Sequence, residues 1–196
     1  MKGERTRQSI LERAVDVASL EGLEGLTIGR LADELKMSKS GLFAHFGSKE
    51  ELQIATLEEA AQRYIHEIFT PALKAPRGFP RLMAICRSWL SYIQRGVFPG
   101  GCFFAATMAE LRLRPSPVTV RLAEFDWYWM GLLRSNLELA QTAGEIPAGE
   151  DIADLAFEIE SHVVHAHLRY PMLHDSGVLA RVRRAVRHRL GVPPGP

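Results

Sequence analysis

The sequence predicts an all-α protein, with an N-terminal head of three helices arranged as a helix-turn-helix and a longer helical body. Two observations lead to this fold class. Apolar residues recur at helical spacing along most of the 196 residues, and no segment keeps the period-two alternation of a half-buried strand. In addition, three hydroxyl residues that suit helix N-caps, Thr27, Ser38 and Ser48, follow one another closely near the N terminus.

The composition is that of a globular protein, with 46% hydrophobic and 24% charged residues. The net charge of +1 creates no global field for nucleic acid, so any affinity for DNA has to come from local placement of charge. Cys86 and Cys102 lack metal-ligand spacing, which favours a reduced intracellular protein. Because we find neither a signal peptide nor a run of about 18 apolar residues, we expect a cytoplasmic location and no membrane partner.

The first two helices are predicted from apolar spacing and from a hydroxyl cap. Ile10, Leu11 and the apolar positions that follow them predict a helix over residues 6–21, with a turn after it. Thr27 then precedes a second apolar stripe, which predicts a short helix that begins beside it and ends near residue 35.

The third and fourth helices begin at the two serines. Ser38 can cap a helix over residues 39–46, which Gly47 ends. Ser48, with Glu51 three residues later, forms a capping-box pattern that predicts a longer helix as far as Pro71. Two short helices joined by a tight turn at residues 36–37 describe a helix-turn-helix, whose second helix can enter a DNA major groove.

The composition of residues 39–46 agrees with a helix that meets DNA. Leu42 and Phe46, four residues apart, can anchor one side in the core and leave the other side outward. No acidic residue lies between Glu34 and Glu50, so a phosphate backbone would meet no repulsion there. Phe43 has two possible positions, in the core or on the DNA-facing surface, and the sequence leaves both open.

The string SKSGLFAHF at residues 38–46, followed by SKEEL, resembles the DNA-binding head of the TetR family of bacterial transcriptional regulators. The resemblance implies contacts to double-stranded operator DNA, and Lys39 is the best candidate for a guanine contact. Phe43 stands where the family usually has a tyrosine, and the order of Ser40 and Gly41 is the reverse of the usual one. The DNA-binding residues that the resemblance implies are Thr27, Ser38, Lys39, Ser40, Gly41, Phe43, His45 and Lys49.

The remainder of the chain reads as a helical body. We divide the protein into a DNA-binding head at residues 1–52 and a body for ligand binding and dimerisation at residues 53–196. Helices are predicted over residues 81–94, 102–112, 116–142, 151–169 and 178–190, separated by proline and glycine. The helix that starts at Ser48 belongs to both regions, so it can transmit a displacement between them.

Aromatic residues concentrate between Phe79 and Trp129. Core packing can account for any one of them, but such a density among helices also suits an apolar pocket with a few polar groups. A small-molecule effector is therefore expected. The candidate ligand-binding residues are Trp89, Tyr92, Phe104, Met108, Trp127, Met130, His162 and His165.

The two candidate histidines, His162 and His165, have a spacing that could begin a metal site. No cysteine or further carboxylate is placed to complete one, so we expect polar contacts at a pocket mouth or dimer seam, and neither a metal nor a cofactor. The segment 151–169 is apolar on more than one side, which indicates two packing partners. In TetR relatives the last two long helices form a dimer interface, and a homodimer also suits the reading of a palindrome.

The sequence therefore indicates a homodimeric, ligand-responsive transcriptional regulator. We expect a repressor that leaves a palindromic operator when a small apolar or amphipathic ligand enters the body. An alternative is a helical small-molecule-binding or scaffold protein without DNA-regulatory activity. An enzyme is not expected, because the sequence contains no phosphate-binding loop, nucleophile elbow or catalytic constellation.

Overall fold

A computed structural model describes residues 2–191. This part of the chain is helical and contains no strand, which confirms the all-α class. The helices are α1 (Lys2–Glu21), α2 (Ile28–Leu35), α3 (Lys39–Phe46), α4 (Lys49–Tyr64), a π-helical turn (Ile65–Phe69), α5 (Thr70–Ala72), α6 (Phe79–Arg95), α7 (Phe103–Leu111), α8 (Pro117–Thr142), α9 (Ile152–Leu173) and α10 (Ser176–Arg189).

Three helix ends differ from the sequence prediction by more than two residues. α9 runs on through Pro171 to Leu173 and does not end at residue 169. α1 begins four residues earlier than expected, and Glu4 in its first turn interacts favourably with the helix dipole. The helix that follows Ser48 does not stop before Pro71. It changes to π geometry after Tyr64 and then forms α5, where Pro71 occupies a first-turn position that needs no N–H donor.

The three predicted N-caps of the head are confirmed. In Thr27, Ser38 and Ser48, the side-chain oxygen accepts a hydrogen bond from the backbone N–H three residues later, at 3.0–3.1 Å. Each bond satisfies one of the N–H groups that a helix start leaves without an intrahelical partner. These caps set the starts of α2, α3 and α4.

The chain forms two compact units. The first contains residues up to Arg63 together with Phe98–Phe125, and the second contains Tyr64–Val97 together with the residues from Asp126 onward. Both the segment from α4 to the π turn and the single helix α8 pass from one unit to the other. The division into head and body at residues 52 and 53 concerns function and stays a prediction.

The first unit is organised around the turn between α1 and α2. The Glu110 carboxylate on α7 accepts hydrogen bonds from the backbone N–H groups of Leu23 (2.8 Å) and Glu24 (3.0 Å). Gln53 on α4 donates to the carbonyl of Leu23 at 2.7 Å. Gly22 has φ +85°, and a Cβ atom there would lie 2.6 Å from a Glu110 oxygen, so the turn requires glycine.

In the second unit, α9 packs against α6 and α10. Buried residues of α9 recur at helical spacing and form a continuous apolar face, which comprises Leu155, Ala156, Ile159, Val163 and Ala166. The Asn136 side chain of α8 accepts a hydrogen bond from the N–H of Gly78 at 3.1 Å, in a buried position. Arg189 of α10 pairs with Glu150 at 2.8 Å and with Glu158.

Two carboxyl groups of the second unit lie in partly buried positions. Burial, followed by the nearby charge of Asp126, raises the pKa of Glu160 to about 7. Burial also raises the pKa of Asp126. The folded protein therefore favours the protonated form of Glu160 relative to the unfolded chain.

We predict that Glu110→Ala destabilises the first unit. The substitution leaves the N–H groups of Leu23 and Glu24 without their acceptor, which costs about 2 kcal/mol in the free energy of unfolding. Urea unfolding followed by circular dichroism measures this difference. Glu124→Ala is the control, because Glu124 makes an exposed ion pair with Arg121 and its loss should change stability by less than about 0.5 kcal/mol. Equal effects of the two substitutions would contradict this role for Glu110.

We predict that Glu160 makes the fold less stable as pH rises. Because the folded pKa lies above the unfolded value, the contribution of Glu160 is fully present below about pH 4.5 and is lost as pH rises through 7. Glu160→Gln should match the wild type at pH 5 and exceed it by about 1 kcal/mol at pH 8, after allowance for solvent screening. Urea unfolding at both pH values tests this, with Glu138→Gln as the exposed control. A pH dependence that Glu160→Gln leaves unchanged would refute it.

Candidate DNA interface and aromatic cluster

The outward face of α3 is formed by Lys39, Ser40, Phe43 and Ala44, all of which are exposed. Leu42 and Phe46 lie on the opposite side in the core. Phe43 is 54% exposed, so the surface position, and not the core position, is the one it occupies. α3 therefore presents an ammonium, a hydroxyl and an aromatic ring on one acid-free face.

The turn before α3 is closed by a lysine in the left-handed conformation. Lys36 has φ 54° and ψ 39°, which costs a residue other than glycine roughly 1 kcal/mol. The following N–H, that of Met37, donates to the carbonyl of Ala32 at 3.0 Å. This arrangement ends α2 and brings Ser38 into the extended conformation that an N-cap needs.

Gly41 donates the N–H that closes the cap of its own helix. Its N–H donates to the Ser38 hydroxyl at 3.1 Å, and a Cβ atom at Gly41 would lie 2.9 Å from the same oxygen. A side chain at this position would require the Ser38 hydroxyl to shift by a few tenths of an ångström. The equivalent positions of the other two caps hold Arg30 and Glu51, so the cap does not by itself demand glycine.

Two predicted DNA-binding residues from different helices lie near each other. A Cβ atom built on Gly29 would be 3.6 Å from Lys39 Nζ and 3.9 Å from the Thr27 hydroxyl. The ammonium of α3 therefore reaches back to the N-terminal end of α2. An anion beside Gly29 could meet both groups together with the positive end of the α2 dipole.

The last two predicted DNA-binding residues have protein neighbours. Lys49 Nζ pairs with Glu24 at 3.4 Å, and Glu24 also pairs with Arg114 at 3.3 Å. His45 is half-buried, and its ring centroid lies 6.3 Å from that of Phe46. Because exposed ion pairs contribute at most about 1 kcal/mol, a phosphate can compete with Glu24 for Lys49.

Glu21 of α1 and Glu34 of α2 are engaged by arginines. Arg30 pairs with Glu21 at 2.5 Å and with Glu34 at 2.9 Å, and Arg13 also contacts Glu34. Hydrogen bonds from Arg13 and then from Arg30 lower the pKa of Glu34. These pairs neutralise carboxylates that would otherwise repel DNA, and they leave the lysines of the α2–α3 region as its positive groups.

The second unit contains an aromatic cluster, which we define as the rings of Tyr64, Phe69, Trp89, Tyr92 and Trp129. The rings meet mainly edge to face, with centroids 4.1 Å apart for Trp89 and Trp129 and 5.4 Å apart for Tyr64 and Tyr92. Trp89 Nε1 also donates a hydrogen bond to the Tyr64 hydroxyl. Two predicted ligand-binding residues, Trp89 and Tyr92, therefore lie in one cluster with the end of α4.

His167 of α9 lies against this cluster and was not among the sequence-predicted residues. Its ring packs edge to face on Tyr92 at 5.3 Å, and it is only 5% exposed. No described residue forms a hydrogen bond with its Nε2 atom. A buried polar atom without a hydrogen bond costs about 1–3 kcal/mol of folding free energy. The spacing of four residues from Val163 could have identified it as inward-facing.

The other predicted ligand-binding residues occupy different positions. Trp127 is 69% exposed, with the Arg134 guanidinium 5.8 Å from its ring centroid. Met130 and His162 are half-buried, and His165 is exposed. Phe104 and Met108 belong to the first unit, where Phe104 stacks on Phe125 at 4.3 Å. The role of all eight residues in ligand binding stays a prediction.

Other kinds of site find little support in the described residues. Between residues 2 and 191, no three His, Cys, Asp or Glu side chains form a metal-ligand group. Burial raises the pKa of the Cys86 thiol to about 12, so this cysteine stays protonated and unreactive. Within the same range, no helix is long and apolar enough to cross a membrane.

Comparison with known proteins supports the resemblance at both ends of the chain. Residues 10–56 match the family model described as bacterial regulatory proteins of the tetR family. Residues 78–186 match the model described as the C-terminal domain of tetracyclin repressor-like proteins. The second match alone covers more than half of the 196 residues.

Among characterised relatives, the HTH-type transcriptional repressor AcnR of Corynebacterium efficiens is 41% identical over 58 residues, which are 30% of this chain and 31% of AcnR. The chain thus matches about a third of the length of that relative. Among solved structures, a TetR transcriptional regulator from Chloroflexus aurantiacus has a TM-score of 0.89 at 22% identity and covers 97% of this chain and 96% of its own.

A second solved structure, AibR in complex with isovaleryl coenzyme A and operator DNA, has a TM-score of 0.73 at 18% identity. The match covers 96% of this chain and 99% of AibR. At these identities the solved structures establish the fold, and the two family models establish the family. The chain belongs to the TetR family of bacterial regulatory proteins.

Proposed function

We propose that this protein is a transcriptional repressor that binds a palindromic operator as a homodimer and leaves it when a small apolar or amphipathic ligand binds. The observation that carries the proposal is the outward, acid-free face of α3, where Lys39 and Phe43 are exposed on the side opposite the buried Leu42 and Phe46. AcnR, which this chain resembles in its head, is named a transcriptional repressor. Because operator DNA lies in the bacterial cytoplasm, this function also implies a cytoplasmic location for the protein.

On this proposal α3 lies in the major groove. Lys39 donates to the acceptors of a guanine, and Phe43 makes an apolar contact with a sugar or a thymine methyl group. Thr27, Ser38 and Lys49 meet the phosphates on either side of the groove, where contacts fix the register of the helix without reading sequence. The N termini of α2 and α3 supply additional backbone N–H donors to the same phosphates.

The homodimer is supported by an apolar stripe on the outside of α9. Phe157, Leu168 and Met172 are 66%, 59% and 70% exposed, and the half-buried Val164 lies between them at helical spacing. A second copy of the stripe would cover these side chains, and an isologous contact of this kind generates two-fold symmetry. Two recognition helices related by a two-fold axis match a palindromic operator.

Release from DNA requires that the DNA-binding conformation and the released conformation bind the ligand with different affinity. The segment from α4 to the π turn and the helix α8 are the covalent links that support such coupling. Tyr64 and Trp129 lie in the aromatic cluster, and each belongs to a segment that continues into the first unit. A shift of these rings on ligand binding would therefore act directly on helices that support the head. AibR, whose fold is similar, is described in complex with both a coenzyme A ester and operator DNA.

We predict that Lys39→Ala weakens operator binding by about 1–3 kcal/mol and relaxes specificity at one base pair of each half-site. Fluorescence anisotropy at fixed salt, with a duplex selected by the wild-type protein, measures the effect. Lys74→Ala is the matched control, because Lys74 is an exposed lysine of the second unit. If both substitutions weaken binding equally, the assignment of Lys39 to base recognition is wrong.

We predict that Leu168→Glu dissociates the dimer, because two carboxylates would lose their hydration within the apolar contact between α9 stripes. Sedimentation velocity at micromolar concentration should report a monomer for this variant and a dimer for the wild type. Leu73→Glu is the control, since Leu73 is equally exposed at 59% but lies outside α9. A dimer that survives Leu168→Glu would place the interface elsewhere.

A further inference from the structure

The imidazole of His167 is buried in the second unit against the aromatic cluster. The residue is 5% exposed, and no described residue forms a hydrogen bond with its Nε2 atom. Buried polar atoms of folded proteins almost always form a hydrogen bond, so the missing hydrogen bond at Nε2 calls for an explanation. A bound ligand is one molecule that can supply the missing hydrogen bond.

The ring that packs on His167 is aromatic and belongs to the aromatic cluster. Its ring lies 5.3 Å from that of Tyr92, at an interplanar angle of 76°, and Tyr92 in turn meets Tyr64 edge to face at 5.4 Å. Trp89 and Trp129 continue the cluster. Rings in this arrangement offer edges and faces that favour another aromatic ring, and none of them carries a formal charge.

The imidazole itself also carries no charge under physiological conditions. Burial lowers the pKa of His167 to about 3, so the neutral form dominates from pH 5 upward. A neutral imidazole offers a carboxylate no ion pair, and an apolar site penalises any charged ligand. An uncharged ligand therefore fits this position best.

We propose that His167 Nε2 is the polar anchor of the effector site, and that the effector is an uncharged aromatic molecule with a hydroxyl group. The proposal rests on the effector response put forward above and adds the class of ligand and the residue that selects it. Nε2 of a neutral imidazole is a donor in one tautomer and an acceptor in the other. A hydroxyl group satisfies either tautomer, and the ring that carries it packs against Tyr92.

Three molecules of similar shape test the proposal: 2-naphthol, naphthalene and 2-naphthoate. Isothermal titration calorimetry with the full-length protein at pH 7.5 measures their dissociation constants. We expect 2-naphthol to bind about tenfold more tightly than naphthalene, as one hydrogen bond at a buried site implies, and 2-naphthoate to bind more weakly than 2-naphthol. Equal affinity for 2-naphthol and naphthalene, preference for 2-naphthoate, or no binding of 2-naphthol would each overturn the proposal.

Substitutions then identify the atom responsible. His167→Phe keeps a planar ring and removes the polar atoms, so the ratio of the naphthalene and 2-naphthol dissociation constants should fall to about one. His167→Gln keeps a donor and an acceptor and should retain part of the preference. His188→Gln changes an exposed histidine of α10 and should leave the ratio unchanged. A preference for 2-naphthol that persists in His167→Phe would overturn the proposal.

A measurement on the wild-type protein covers the case in which His167→Phe fails to fold. In protein labelled with ¹⁵N-histidine, 2-naphthol should shift the Nε2 resonance of His167, and naphthalene should shift it much less. Equal shifts with both probes would overturn the assignment. Failure of these tests leaves the regulator role intact as long as the protein selects a palindromic duplex, so the two proposals fail separately.

Discussion

The geometry of the proposed DNA-reading surface depends on the hydrogen bonds that hold the turn between α1 and α2. The Glu110 carboxylate accepts from two successive backbone N–H groups, and Gln53 donates to the carbonyl of Leu23 in the same turn. α2 begins immediately after this turn at the Thr27 cap. α3 follows after three further residues, of which Lys36 is left-handed and Ser38 is extended. The position of Lys39 and Phe43 therefore depends on a carboxylate from α7, far along the chain.

The two compact units do not follow the order of the chain. The first unit takes α7 and the start of α8 from the middle of the chain, and the second unit takes the end of the α4 segment and most of α8. A ligand held by the aromatic cluster and His167 would act on residues whose helices continue into the first unit. On the proposed ligand response, this covalent continuity would supply the coupling between effector and operator.

The sequence was sufficient for the all-α class, the three head caps and the outward face of α3, because these follow from local spacing and hydroxyl chemistry. It was insufficient for the role of Glu110, whose partners lie 86 and 87 residues away. His167 was overlooked because His162 and His165 seemed the polar face of α9, whereas its spacing from Val163 turns it inward. The π turn after Tyr64 also escaped prediction, since it has no local signature comparable to a cap.

The central claim is that α3 reads an operator as part of a dimer, and selection from a random duplex library tests it most directly. Purified protein is bound to the library, retained duplexes are amplified, and the enriched sequences are read. The expected result is a palindrome whose half-site centres are separated by one or more DNA turns of about 34–36 Å, with affinity that falls as salt increases. A folded, dimeric protein that enriches no motif would contradict the claim and leave the aromatic second unit as its functional part.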